Sequence, residues 1–156
     1  MPPALAFSFD REGRTENEIK DLRQRSNNKV HFLPRRMYEN YLLDPEAIAA
    51  VISGDVSTGP DVSSEVVQRW LEEHMPEFLP SEVQSSVDTP TWLRRVNGAA
   101  LLNRLFPEVS DNTVSFNKVR HGARLTEWII EKKREHLTEL DEYLNGLLAE
   151  RDDLCK

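Results

Sequence analysis

Two short apolar runs, Leu5-Ala6-Phe7-Ser8-Phe9 and Val30-His31-Phe32-Leu33, set the terms for this chain. Both are rich in aromatic and branched residues and read as buried strands. Between them Thr15 is placed as a helix cap, with Glu18 three residues on completing a capping box. Ile19 and Leu22 give that helix one narrow apolar face, and Glu16, Lys20, Asp21 and Arg23 are solvated. Gly13 and Arg14 turn the chain into the helix; Ser26-Asn27-Asn28 ends it. Strand, helix and strand within about 30 residues make a βαβ unit, whose strands pair in parallel. Sites in such sheets lie beyond the carboxyl ends of the strands. Asp10 and Glu12 follow the first strand; Arg35, Arg36 and Glu39 follow the second.

Glu39 needs an explanation, because it stands among Met37, Tyr38, Tyr41, Leu42 and Leu43. An unpaired buried charge is expensive, so Glu39 is paired, metal-bound or turned to the surface. Asp10, Glu12 and Glu39 together suit Mg²⁺ or Mn²⁺, which prefer hard oxygen ligands and retain water for chemistry. Such a site activates water and neutralises a phosphate in phosphodiester cleavage. The plainer reading makes Asp10 and Glu12 turn and helix-leading acids, with Glu39 paired to Arg35 or Arg36. A second constellation is Lys118-Val119-Arg120-His121-Gly122, set before a helix expected to begin near Ala123. These cations either hold a phosphate at the helix N-terminus or form an exposed basic turn. His31 and His74 have no partner at metal-ligand spacing and read as structural or surface residues.

From Asp44 onward the pattern is helical. Asp44 caps a helix with Pro45 at its first position, running through Ile48, Val51 and Ile52 to Gly54. Val56–Pro60 is a turn-rich link. An amphipathic helix spans about Ser63 to His74, with Val66, Val67, Trp70 and Leu71 on one side. Pro76, Pro80 and Pro90 mark a loose connector around a short helical turn. Asn97–Phe106 is a further helix, Thr113–Phe116 an extended piece, and Ala123–Lys133 and Glu135–Arg151 the last helices. Leu137, Leu140, Leu144 and Leu147 form a packing ladder too short for a firm zipper.

Composition trims the possibilities. The 156 residues suffice for one ordinary domain. A net charge of −7 disfavours a large non-specific nucleic-acid surface, yet metal-binding carboxylates themselves add negative charge. One cysteine, Cys155, excludes an internal disulfide and a cysteine-rich zinc site. No apolar run approaches the roughly 20 residues of a membrane span. The start, Met1-Pro2-Pro3-Ala4-Leu5, lacks the pattern of a signal peptide, which makes a cytoplasmic location the expectation. A Gly-rich phosphate loop is absent from the sequence, and Ser, His and Asp are too scattered to propose a triad.

Phe7-Ser-Phe-Asp10-Arg-Glu12, followed by the Val30–Leu43 segment with Glu39, resembles the later part of a Toprim domain. The version it resembles follows an ABC-type ATPase in overcoming-lysogenization-defect-like nucleases and related anti-phage proteins with a DUF4435-type Toprim region. Asn97-Gly98-Ala99, Leu105-Phe106 and Asn117–Leu125 resemble the helical tail of those proteins. The resemblance implies an α/β fold: a partial Toprim-like parallel βαβ unit over residues 1–54, then a mostly α-helical subdomain over 55–156. It implies Asp10, Glu12 and Glu39 as ligands of Mg²⁺ or Mn²⁺, with Glu39 and Lys118 catalytic and Lys118 stabilising the phosphate. Glu12 stands where such sites carry a second aspartate. The strand bearing the first Toprim glutamate should precede Leu5, where only four residues stand. The resemblance therefore implies a C-terminal piece: a nuclease half-site acting on DNA or RNA once a missing part is supplied. An ATPase subunit or a second copy of the chain would be its partner, covering the open edge of the first strand. The rival expectation is an inactive remnant or interaction module that binds an ATPase-nuclease partner.

Overall fold

The computed structural model of the protein describes residues 6–55, 61–81 and 89–153. Strand β1 (Phe7–Phe9), helix α1 (Glu16–Arg25) and strand β2 (Val30–Phe32) form the expected unit, and the two strands pair in parallel. Their register sets Phe7 against Val30, Ser8 against His31 and Phe9 against Phe32. Both ends of α1 are locally determined. The Thr15 hydroxyl accepts from the Glu18 amide, and the Glu18 carboxylate accepts from the Thr15 amide at 2.7 Å. After Ser26, Asn27 and Asn28 adopt left-handed backbone, a conformation asparagine tolerates and one that stops a helix.

A 3₁₀ turn over Tyr38–Tyr41 leads into the helical part: α2 (Pro45–Asp55), α3 (Ser64–His74), α4 (Thr89–Arg95), α5 (Gly98–Val109), α6 (Lys118–Lys132) and α7 (Thr138–Asp153). Further 3₁₀ turns occupy Met75–Phe78 and Arg134–Leu137. The Asp44 cap read from sequence operates here, and the structure adds caps at Ser63 and Asn97. Asp44 Oδ1 accepts from the Ala47 amide at 2.9 Å, and Ser63 and Asn97 cap α3 and α5 through their side chains. Helix α3 packs on α2 and α5, and α6 packs on α2. One cluster of buried apolar side chains extends from Leu33 through Ile48, Leu101, Phe106 and Leu125 to Leu140. Each large aliphatic group buried there contributes about 1.5–3 kcal/mol.

Two expectations need correction. The β1 strand is not buried, because Phe7 and Phe9 share one face and each stays 49% exposed. Ser8, on the other face, meets the Tyr143 hydroxyl of α7 at 2.7 Å. The stretch around Thr113–Phe116 joins no sheet and is held to Ser110 by side-chain bonds. Helix α6 begins at Lys118 under an Asn117 cap, so the supposed basic turn is the helix's first turn. The expected link Val56–Pro60 lies outside the described residues.

His136, in the last 3₁₀ turn, gives the fold a dependence on pH. Burial holds its imidazole below the ordinary histidine range, opposed by Asp44 and a Tyr41 backbone bond and reinforced by Arg35 and Lys133. The depressed folded value means that the unfolded chain takes up this proton first. Stability is therefore full above about pH 6.5 and falls as pH drops through the lower folded value. Denaturation midpoints between pH 5 and 7 should show this slope, and His136→Gln should flatten it. An equal slope in the variant would assign the effect elsewhere. Glu18 and Asp55 are held low by hydrogen bonds and lose their contributions only at more acid pH.

Candidate functional site

The loop after β1 lies alongside the segment after β2. The Glu12 amide donates to Arg36 C=O at 2.7 Å, and Asp10 Oδ1 accepts from the Tyr38 amide at 3.1 Å. Tyr38 opens the 3₁₀ turn that carries Glu39, which is only 2% exposed. From across the fold, Lys118 at the start of α6 brings its ammonium to 2.8 Å from Glu39 Oε1. The Lys118 side chain itself remains 68% exposed. That ammonium provides charge at an ion-pair distance, but neither buried oxygen of Glu39 accepts a well-formed hydrogen bond.

Asp10 feels the same cluster. Partial burial raises its carboxyl above the usual carboxylate range, with the charges of Glu39 and Glu12 adding to the rise. The Tyr38 amide and Lys118 oppose that rise. Lys118 is held above its ordinary range by the adjacent Glu39 carboxylate, with Asp10 contributing. Asp10, Glu39 and Lys118, from three separate parts of the chain, thus lie within electrostatic reach of one another. Glu12 reaches Asp10 only weakly; its exposed carboxylate stands 3.4 Å from Arg14 on left-handed backbone. Beside Glu39 is a hollow of about 380 Å³, lined by Tyr38, Leu42, Lys118, Gly122 and Thr126. Among the described residues, no group of three or more histidine, cysteine or carboxylate side chains is arranged to hold a metal ion.

The fold dictates where Glu39 sits through its neighbour. Asn40 is fully buried and donates from Nδ2 to Leu93 C=O at 2.9 Å and Val96 C=O at 3.0 Å. Its Oδ1 accepts from the Gly98 amide at 3.2 Å. One side chain thereby satisfies carbonyls at the end of α4 and an amide at the start of α5, groups that helix ends leave unpaired. Gly98 is needed for this approach, since a Cβ there would stand 2.4 Å from Asn40 Oδ1. Arg35 is not the partner of Glu39. Its guanidinium donates to Asn40 C=O at 2.9 Å, lies 4.4 Å from the Tyr41 ring centroid and approaches Glu139.

A second polar cluster went unread in the sequence. His121 is buried against Asp55, with Nε2 2.6 Å from Oδ2 and Nδ1 accepting from the Asn117 amide at 2.7 Å. An acceptor at Nδ1 places the proton of the neutral ring on Nε2, pointing at Asp55. Arg120 and Arg124 bind the other Asp55 oxygen. Burial alone would raise the Asp55 carboxyl, but these donors and charges hold it low. Two of the cations considered for phosphate binding, Arg120 and His121, are therefore committed, together with Arg124, to the chain's own carboxylate, tying the end of α2 to α6. The only advance signal was a lone aspartate ending a helix.

The arrangement is that of a mostly helical α/β protein carrying an ion-paired, buried carboxylate at the carboxyl ends of two parallel strands. Comparison with family models, curated proteins and solved structures finds no match. Among the described residues, no helix is long and apolar enough to cross a membrane.

Proposed function

We propose that the chain carries the carboxylate half of a Mg²⁺- or Mn²⁺-dependent phosphodiester-cleaving site of Toprim type. It would belong to an ATP-dependent anti-phage nuclease of the overcoming-lysogenization-defect-like kind. The observation that carries this reading is the convergence of Asp10, Glu39 and Lys118 at the strand ends. Two carboxylates, one with buried oxygens lacking a hydrogen bond, suit Mg²⁺, which takes one or two protein carboxylates and completes its shell with water and phosphate. Asp10 and Glu39 would hold the ion, Glu12 would join them on leaving Arg14, and Lys118 would meet a phosphate of DNA or RNA. The ion would supply an activated water and charge neutralisation at the phosphoryl group. The first Toprim glutamate would come from a partner, either an ATPase subunit or a second copy, so the isolated chain should cut nucleic acid poorly.

Thermal unfolding in millimolar Mg²⁺ or Mn²⁺ tests this. An ion that binds only the folded chain stabilises it by about 2.7 kcal/mol at a hundredfold excess over its Kd. The melting temperature of the natural chain should rise, and Glu39→Gln should remove most of the rise. A rise that survives in Glu39→Gln sinks the proposed site. Failure of either ion to act on the natural chain favours the second reading, an interaction module. Phe7 and Phe9, half exposed on β1, supply the surface for that alternative.

A further inference from the structure

Glu39 and Lys118 are an unequal pair. The carboxylate is 2% exposed and fixed by the turn between β2 and α2, whereas the lysine side chain is 68% exposed at the first position of α6. Glu39 cannot follow the lysine outward, because Asn40 and Gly98 lock its backbone against α5. Lys118 can leave, but only if another cation replaces it, since an abandoned buried carboxylate is costly. A hollow beside the pair has both Glu39 and Lys118 in its lining.

We propose that Lys118 is an internal surrogate for the divalent ion, neutralising Glu39 in the ion-free chain and exchanging with the ion when it binds. This rests on the reading of Asp10 and Glu39 as ion ligands and adds a regulation to it. The ammonium and the ion share Glu39 Oε1, so their occupancies oppose each other. Exchange protects the fold from the repulsion between Asp10 and Glu39 when no ion is bound. It also releases Lys118 only once the ion is in place, which couples the lysine's availability for substrate phosphate to ion loading.

The test is the divalent-ion response of Lys118→Met, which keeps most of the apolar stem and removes the competing charge. Melting temperature and calorimetric titration are measured with Mg²⁺ and Mn²⁺ at matched ionic strength. In chelator, Lys118→Met should melt below the natural chain. Its rise with either ion should exceed the natural chain's, with a Kd about tenfold tighter, the size of an ordinary coupling between two ligands. If Lys118→Met is unfolded in chelator, the ion should fold it; persistence of the unfolded state at saturating ion would overturn the exchange. Lys118→Met combined with Glu39→Gln should fold without the ion and show no response to it. An equal or smaller response in Lys118→Met, with a normal response in the natural chain, overturns the exchange alone. No response in either chain removes the ion site itself, and the exchange with it.

Discussion

Asn40→Leu should lower the unfolding free energy by about 3 kcal/mol, although it adds apolar volume to the core. The substitution strips partners from the carbonyls of Leu93 and Val96 and from the Gly98 amide. Each buried polar group left unsatisfied costs about 1–3 kcal/mol, and the apolar gain of leucine offsets only part of the sum. Domains of this size are stable by about 5–15 kcal/mol, so the loss is a large fraction of the whole. Urea denaturation monitored through tryptophan fluorescence measures it; a change below about 1 kcal/mol would show that water or repacking satisfies those groups. Gly98→Ala attacks the same contact from the other side, because its Cβ cannot coexist with Asn40 Oδ1. Losses from the two substitutions should therefore combine less than additively. Both should also blunt the ion response proposed above, since they displace the backbone that carries Glu39.

Asp55→Ala should cost about 2–4 kcal/mol. Most of the loss comes from His121, whose Nε2–H remains buried without its acceptor. Arg120 and Arg124, at 63% and 35% side-chain exposure, turn to water at little cost. The sign of the pH effect follows from the lowered Asp55 carboxyl. Its contribution is present above the ordinary aspartate value of 3.8 and disappears as pH falls through the lower folded value. Stability of the natural chain and of Asp55→Ala should thus differ at neutral pH and converge in strong acid. Nitrogen chemical shifts of His121 provide an independent check, with Nε2 protonated and Nδ1 bare at neutral pH. The opposite tautomer would break the argument, since Nδ1 could not then accept from the Asn117 amide.

Both ends of α1, the start of α2 and the parallel pairing of β1 and β2 were legible in the sequence for a common reason: the interactions that set them are local or topologically forced. Thr15 and Asp44 each bond an amide three residues onward, so neighbours in sequence suffice to place them. Two short strands joined by a ten-residue helix can pair on one sheet only in parallel. The choice of charge partners was not legible. Glu39 has Arg35 and Arg36 nearby in sequence, yet it pairs with Lys118, because the buried side of the turn faces the first turn of α6. His121 looked like one cation among several until packing buried it against Asp55. Phe7 and Phe9 carried a buried-strand pattern, but a strand pattern cannot say whether anything covers the face it presents. Capping energies act within one helical turn, and the sequence by itself determined them. Ion pairing and burial depend on which surfaces meet across the fold, and only the tertiary structure decided those.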